Sequence, residues 1–224
     1  MKHETHHPAK QGSKPSLFIA GFSLTELIVA VGIFIVLTSV LLFNYNKFGN
    51  RLTLDILAHQ IAGWVRDAQV SAMSVRTDRT VSGKYPGYGI HFDSVTTPVN
   101  LSTSFIYFAD TYYPDKQYNS ASGACGSALA ECEKQIKILQ KNRVELICGL
   151  GTAHPQGSCP VGFEQLLGAD IVFTRPNPDA SIIGKWGAAS TATSSYAQVT
   201  VTLVTPILYR RTVGMWTTGQ IYVQ

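Results

Sequence analysis

Apolar residues fill most positions from Phe22 to Phe43, and the only charged residue in this run is Glu26. At a rise of 1.5 Å per residue the run predicts a helix of roughly 33 Å, about the thickness of a bilayer's hydrocarbon core. Lysines precede the run and none lies inside it, so the positive-inside bias places the preceding segment in the cytoplasm. The pattern therefore predicts one membrane-spanning helix, with everything after Phe43 exported.

A cleavable secretory signal is the competing interpretation of this run. Such a signal needs a small-x-small site after its apolar stretch. The residues SVLLFNYNKFG, which end the run and follow it, contain no convincing site of this kind. We therefore interpret the run as a retained anchor, and the polar segment before it as a leader outside the fold.

The helical pattern continues past the apolar run in a different form. Apolar residues now recur at steps of three and four, whereas Asp55, His59 and Arg66 face elsewhere. The apolar stripe consists of Leu54, Leu57, Ile61, Trp64, Val65, Ala68, Ala72 and Val75. Since no proline occurs from Phe22 until Pro86, nothing forces a break. The pattern predicts one continuous helix from Phe22 to about Arg76, amphipathic in its second half.

After this helix the pattern changes to short β-rich runs separated by turn residues. The runs are RTVSG, YGIHFD, SFIYFAD, QIKILQKN, RVELICG, ADIVFTR, SIIG, QVTVTLV, ILYRRTV and QIYV. YPGYG, PNPDA and WTTGQ are predicted turns, and GKWGAASTATSSYAQ is a predicted long surface loop. A long helix followed by a mostly antiparallel sheet predicts an α+β fold, in which the helix stripe covers one sheet face.

The start of the apolar run carries a specific motif, GFSLTE from Gly21 to Glu26, behind a basic leader. This combination resembles the type IV prepilins, a family that includes type IV pilins and the pseudopilins of type II secretion. The resemblance implies the pilin fold. It also implies that a prepilin peptidase cuts between Gly21 and Phe22 on the cytoplasmic side, and that the new amino group of Phe22 is methylated.

The same resemblance implies a division of the chain into four parts. These are a leader at 1–21, the transmembrane half of the helix at 22–43, its amphipathic half at 44–76, and an exported β-rich domain at 77–224. The implied location is the cytoplasmic membrane, as a single-pass protein with its C-terminal domain outside, and afterwards a pilus or a periplasmic or cell-surface filament.

Glu26 acquires a role from this resemblance. A charged side chain in a membrane helix costs about 2.5–3.5 kcal/mol at the bilayer centre and less near the interface. Cleavage creates a positively charged amine at Phe22, and a neighbouring subunit can present that amine to Glu26. Pairing offsets the desolvation cost and favours one register between subunits. The implied partners are the peptidase, other pilin or pseudopilin subunits, an inner-membrane assembly platform, and membrane lipid before assembly.

A second, looser resemblance concerns the exported domain. AQVSAMSVRTDRTV, GYGIHFD and the terminal GQIYV are similar to segments of minor pilins and H-type pseudopilins. This implies a structural subunit rather than a catalyst. A major pilin stays open as an alternative, and so does the choice between a pilus and a secretion system.

The four cysteines all lie in the exported part: Cys125, Cys132, Cys148 and Cys159. An even number outside the cytoplasm favours disulfides. Of three connectivities we favour Cys125–Cys132 and Cys148–Cys159, because these close short loops, each worth about 2–3 kcal/mol. A four-thiolate zinc site is the alternative, but the paired CxxC spacing is missing and only His154 lies nearby. We expect no metal and no cofactor.

Catalytic motifs are missing from the sequence. It contains no GxSxG, HExxH, P-loop or dinucleotide fingerprint. Asp170 and Asp179 flank a strand and a turn, and we interpret them as a strand-end residue and a turn former. A membrane-anchored exported enzyme is therefore a less favoured hypothesis.

Recognition of DNA or a surface ligand at a filament tip is the other alternative. The net charge is +4, but three lysines less Glu4 place +2 of it before Phe22, so the remaining charge is weak evidence for nucleic acid. Arg210 and Arg211 are adjacent, so within a strand they point to opposite faces. Together with other basic residues and Tyr209 they would form a candidate DNA-binding surface. We favour an ordinary solvated surface there.

Overall fold

The computed structural model describes residues 21–74, 85–94, 103–111, 115–119, 125, 131–152, 157–186 and 192–224. These residues contain one helix, α1 (Leu24–Met73), and eleven strands. The strands are β1 (Gly87–Asp93), β2 (Ser104–Asp110), β3 (Cys132–Lys137), β4 (Arg143–Leu150), β5 (Phe163–Leu166), β6 (Gly168–Thr174), β7 (Asn177–Trp186), β8 (Ala192–Ser195), β9 (Gln198–Val204), β10 (Arg210–Trp216) and β11 (Ile221–Val223). The chain forms two compact units, residues 1–45 and 46–224.

The predicted continuous helix is confirmed, with ends two to three residues inside the predicted ones. Its C-terminal end is held by Arg175 from the turn between β6 and β7. Arg175 donates from Nε to the carbonyl of Ala72 (3.1 Å) and from Nη2 to that of Met73 (2.7 Å). A cation that bonds the last carbonyls satisfies acceptors that the helix leaves open. One turn earlier, Gln69 donates to the carbonyl of Pro178 (3.0 Å).

The predicted stripe of α1 is the part of the helix that packs in the core. Leu54, Ile61 and Ala68 are completely buried, and so is Ala58, which the predicted stripe did not include. They belong to one core cluster with inward-facing residues of both sheets, among them Ile90, Phe92, Ile171, Val201 and Val213. Trp64 packs against this cluster while partly exposed, and Val75 lies outside the described residues. Burial of this apolar face, more than helix propensity, stabilises the second half of α1.

The strands form two antiparallel sheets, whereas the sequence pattern suggested one. The first has six strands in the order β3-β2-β1-β6-β7-β8, and the second has five in the order β11-β10-β9-β4-β5. Alternation of apolar and polar residues shows which face of a strand is buried, but it does not show which strands share a sheet. The α+β class is therefore correct and the single sheet is wrong.

Tyr196 lies where the chain passes from the last strand of one sheet to the other. Its hydroxyl donates to Glu164 Oε2 (2.9 Å), and its amide donates to the carbonyl of Ile182 (2.9 Å). A Cβ added to Gly149 or Gly184 would lie 2.5 Å from a carbon of the Tyr196 ring. The two sheets therefore require glycine on both sides of this ring.

Several local predictions were wrong in an instructive way. β5 and β8 were not predicted, because FEQL and ATSS have too few apolar residues to give a strand pattern. Most of PNPDA belongs to β7 rather than to a turn, and the end of YPGYG belongs to β1. The predicted turn in WTTGQ is confirmed. The run RTVSG lies outside the described residues.

Candidate assembly segment and a buried polar cluster

Within the part of residues 1–45 that the structure describes, the apolar segment is exposed. Its most apolar part is Leu24–Leu42, 19 residues with a mean hydropathy of 2.4, none of them buried. Leu24 is 75% exposed and Leu41 71%. Soluble monomers rarely expose an apolar surface of this size. By length and composition the segment is compatible with a single-pass membrane anchor and equally with a signal sequence.

The start of this segment has the chemistry of a helix cap. The Ser23 hydroxyl accepts a hydrogen bond from the backbone N–H of Glu26 (3.2 Å), and the Ser23 carbonyl accepts the amide of Leu27 (3.1 Å). Ser-x-x-Glu is the sequence of a capping box, and a carboxylate in the first turn interacts favourably with the helix dipole. These local contributions are those of any surface helix, so they do not explain why the acid begins an apolar segment.

The predicted cleavage site lies just outside the helix. Gly21 and Phe22 precede α1 without regular structure, and the Phe22 side chain is 81% exposed. Among the described residues, nothing lies within 4 Å of the position that a Cβ on Gly21 would take. The peptide bond between Gly21 and Phe22 is therefore not held in the hydrogen-bond ladder of α1.

The polar groups inside the apolar segment are satisfied by the helix itself. The hydroxyl of Thr38 donates to the carbonyl of Phe34 (2.8 Å), and that of Ser39 donates to the carbonyl of Ile35 (2.7 Å). Such bonds remove the cost of placing a hydroxyl in hydrocarbon. Glu26 is thus the one ionisable side chain of residues 24–42.

A second unusual site lies on the outer face of the six-stranded sheet. His91 of β1 is buried and contacts two carboxylates, with Nδ1 2.6 Å from Asp170 Oδ1 and Nε2 3.2 Å from Asp93 Oδ2. Lys185 of β7 places Nζ 3.2 Å from the other oxygen of Asp170. Strand register brings these residues together across β1, β6 and β7. His91 pairs with Asp170, and two residues further along β1 Asp93 pairs with Gly168, which pairs in turn with Lys185. We call His91, Asp93, Asp170 and Lys185 the buried polar cluster.

Hydrogen bonds and charges within this cluster favour the charged forms of His91 and Asp93. Burial alone would lower the pKa of His91, but hydrogen bonds to Asp170 and Asp93 outweigh it and raise the pKa to about 9. Burial acts to raise the pKa of Asp93, yet the bond to His91 and the charges of His91 and Lys185 lower it. Two cations thus balance two carboxylates. A buried group of charges is tolerated when it is paired in this way.

A polar segment covers the cluster. Tyr118 packs its ring against His91, with centroids 4.9 Å apart, and its carbonyl accepts a bond from Lys185 Nζ (3.4 Å). Asp110 lies beside it, 3% exposed, and accepts the Lys116 amide (3.0 Å) on Oδ2. Its Oδ1 has no hydrogen-bond partner in the structure as described. Burial, with nearby Asp115, Glu131 and Asp170, raises the pKa of Asp110 to about 7.

This geometry is suited to structure rather than to acid–base catalysis. Both ring nitrogens of His91 are committed to carboxylates, so no lone pair is left to accept a proton from a substrate. The prediction that Asp170 is a strand-end residue was wrong, because it lies inside β6 and is completely buried. The available signal was the alternation in GIHFD, which places His91 and Asp93 on the same face of β1.

The two candidate DNA-binding arginines are occupied by partners within the chain. They point to opposite faces of β10, as predicted. Arg210 forms a two-point pair with Glu145 (2.5 and 2.7 Å), which lowers the pKa of that carboxyl. Arg211 pairs with Asp55 of α1 and also lies over the ring of Tyr209, 5.0 Å from its centre. Each intramolecular pair reduces the charge available to a phosphate.

The cysteines form the disulfides Cys125–Cys132 and Cys148–Cys159, the pairing favoured from their spacing. No cysteine is free. Among the described residues, no group of three or more histidine, cysteine, aspartate or glutamate side chains is arranged to hold a metal ion.

Comparison with known proteins adds no family assignment. No protein-family model matches the chain, and neither the curated proteins nor the solved structures contain a match.

Proposed function

We propose that this protein is a structural subunit of a type IV pilus or type II secretion-like filament, in the manner of a minor pilin or pseudopilin. The main observation behind this proposal is the exposed apolar segment Leu24–Leu42. It follows Ser23, carries Glu26 in its first turn, and continues into the second half of α1, which belongs to a folded domain. A segment of this kind needs lipid or a protein partner to cover it. In the proposed path, lipid covers the segment before assembly, and neighbouring subunits cover it in the filament.

Glu26 would be the assembly residue in this scheme. Removal of the leader at Gly21 gives Phe22 a charged amine, and the carboxylate of Glu26 pairs with the amine of a neighbouring subunit. Because an unpaired charge in an apolar environment is costly, the pair favours one axial position over its neighbours. The proposed path runs from a single-pass membrane protein, with its C-terminal domain outside, to a filament subunit.

The first test is intact-mass and N-terminal analysis of the full chain, expressed with and without a prepilin peptidase. We expect a chain that starts at methylated Phe22 only when the enzyme is present. A chain that stays uncut, or one cut after Phe43, would contradict the proposal and favour an ordinary anchored or secreted domain.

A second test separates insertion from assembly. We expect Glu26→Ala to insert into membranes as the unchanged protein does, but to be lost from filaments when it competes with unchanged subunits. Glu26→Gln is the matched control, since it keeps the size of the side chain and removes only the charge. Normal incorporation of both variants would show that the carboxylate has no role in assembly.

The alternative functions receive less support. DNA binding at a filament tip would need Arg210 and Arg211 to leave Glu145 and Asp55. An exported enzyme would need a different base from His91. Hydrolytic activity of the purified chain, or steeply salt-dependent DNA binding lost in Arg210→Ala/Arg211→Ala, would reverse this preference.

A further inference from the structure

Exposed aliphatic side chains gather at one end of the unit formed by residues 46–224. Leu139 in the turn between β3 and β4 is 73% exposed, and Leu208 and Ile207 in the turn between β9 and β10 are 63% and 48% exposed. Leu52 and Ile56 of α1, both 48% exposed, border them. We call these five residues the apolar end.

Strand register and side-chain contacts place the two turns and residues 51–56 of α1 at the same end of this unit. Arg143, the first residue of β4, pairs with Val204, the last residue of β9. The turn before β4 and the turn after β9 therefore lie at the same end of these two strands. Ile56 and Leu139 line one groove. The guanidinium of Arg51 lies 5.2 Å from the ring centre of Tyr209, which brings the β9–β10 turn next to α1.

The turns hold these side chains outward by defined backbone geometry. Leu208 has a φ of +62°, and Gln140 and Lys141 have φ values of +60° and +59°. Residues other than glycine rarely adopt this left-handed conformation. In the β9–β10 turn it is fixed by a bond from the Leu208 amide to the Thr205 carbonyl (2.9 Å) and one from the Tyr209 amide to Thr205 Oγ1 (3.1 Å). Exposure of Leu208 is therefore built into the fold.

The apolar end is flanked by positive charge. The cations in its two turns, in the adjoining strands β3, β4, β9 and β10, and in α1 from Phe48 to Ile56 are Arg51, Lys134, Lys137, Lys141, Arg143, Arg210 and Arg211. The carboxylates there are Asp55, Glu133 and Glu145, which leaves a local net charge of +4. Aliphatic tips among arginine and lysine suit the interface of a bilayer, where the tips enter the acyl boundary and the cations meet anionic headgroups.

Leu52, the first residue of the apolar end, follows the apolar segment closely in the sequence. Only five residues lie between Leu42 and Phe48, so the chain spans at most roughly 20 Å there even when fully extended. If residues 24–42 cross a membrane, this short connection keeps the start of the unit formed by residues 46–224 near the bilayer surface.

We propose that the apolar end contacts an anionic bilayer surface before the subunit enters a filament, with Leu139, Ile207 and Leu208 in the interfacial layer. The inference relies on the proposed function only in requiring that residues 24–42 span a membrane. It adds a second membrane contact, made by the folded domain, that entry into a filament would have to break.

The test uses the full chain with a nitroxide label on one introduced cysteine, in phosphatidylcholine vesicles with and without phosphatidylglycerol. All four native cysteines are in disulfides, so the introduced thiol alone is labelled. The labelled variants are Leu208→Cys, Leu139→Cys, Val36→Cys and Val161→Cys. Val161 is the matched control, 91% exposed in the turn that follows the opposite end of β4.

We expect the ratio of relaxation by oxygen to relaxation by an aqueous nickel chelate to rise several-fold at Leu208 and Leu139 when phosphatidylglycerol is present. Val161 should stay aqueous in both vesicles, and Val36 should report hydrocarbon in both. Aqueous values at Leu208 and Leu139 with Val36 in hydrocarbon would overturn the lipid contact and leave the anchor intact. An aqueous Val36 would overturn both proposals. Protection at Leu208 that grows with the protein-to-lipid ratio would assign the surface to a second copy of the chain instead.

Discussion

Two regions of this molecule place side chains against the usual rule that apolar groups are buried and charged groups are exposed. The two regions differ in whether the chain itself offsets the cost. Residues 24–42 expose apolar side chains that would normally be covered, and the buried polar cluster hides charges that would normally be solvated. The cluster is satisfied from within the chain, since every charge in it has an opposite charge within 3.2 Å. The apolar segment is covered by none of the described residues of the unit that contains it.

The contrast separates a structural role from an interaction role. A costly feature whose cost the fold itself offsets is explained by stability alone. A costly feature that the fold leaves uncompensated indicates a partner from outside. On this basis the cluster belongs to the architecture of the domain, while the apolar segment and Glu26 are the features to which the proposed function assigns a partner.

The largest expected effect comes from breaking the cluster. Asp170→Asn removes the charge that His91 and Lys185 share, so we expect the free energy of unfolding to fall by about 3–5 kcal/mol. Urea unfolding of the full chain in detergent measures it. Asp179→Asn is the matched control, since that carboxylate bonds a neighbouring side chain on the surface. Equal effects of the two changes would mean that the cluster is not a stabilising unit.

The two halves of α1 provide the next contrast. Ile61→Ala should lower the stability of the domain by about 2–5 kcal/mol, because the residue is completely buried and leaves a cavity. Ile33→Ala removes the same atoms from a side chain that is 57% exposed, so the unfolding midpoint of the domain should not change. A matching loss in both variants would contradict the assignment of the first half to an outside partner.

Alkaline pH should lower the free energy of unfolding by less than Asp170→Asn does, because a neutral His91 keeps a hydrogen bond. The folded pKa of His91, about 9, lies above its ordinary 6.5. Its contribution is therefore complete below pH 6.5 and is lost as the pH rises through 9. Asp110 also favours the folded state at lower pH, but its contribution is lost earlier, as the pH rises from its ordinary 3.8 through about 7. The melting temperature should fall between pH 6.5 and 9.5.

His91→Gln gives that pH series its control. The variant should be less stable at pH 6 and should lack the decline between pH 6.5 and 9, while the decline that Asp110 causes below about pH 7 remains. An unchanged profile in His91→Gln would show that other groups cause the alkaline loss.

The smallest effect is expected at the surface pair of Arg210 and Glu145. Exposed ion pairs contribute little because water screens them, so Arg210→Ala should change the unfolding midpoint by no more than the error of the measurement. Raising the salt concentration should likewise leave the midpoint unchanged. A clear loss would mean that this pair behaves like the buried one, and that the contrast between buried and exposed charge does not hold here.

The sequence was informative wherever one local pattern decides the structure. The apolar run and the three- and four-residue stripe predicted α1 almost to its ends, and loop length favoured the observed disulfides. It was uninformative wherever distant segments decide. That Asp170 meets His91 follows from the pairing of β1 with β6, a contact across 79 residues. The division into two sheets depends in the same way on long-range pairing, which no single segment encodes.

The hydrogen bonds that join the end of α1 to the β6–β7 turn and the start of β7 have a mechanical consequence. Arg175 donates to the last two carbonyls of the helix, Gln69 donates to the carbonyl of Pro178, and the buried stripe lies between these points and Leu54. A pull on the helix along its axis, towards its N-terminus, loads all of these contacts at once, in shear. Contacts loaded together share the force, whereas contacts peeled in sequence break one at a time. The domain is therefore attached to its helix in a geometry that shares an axial pull among many contacts.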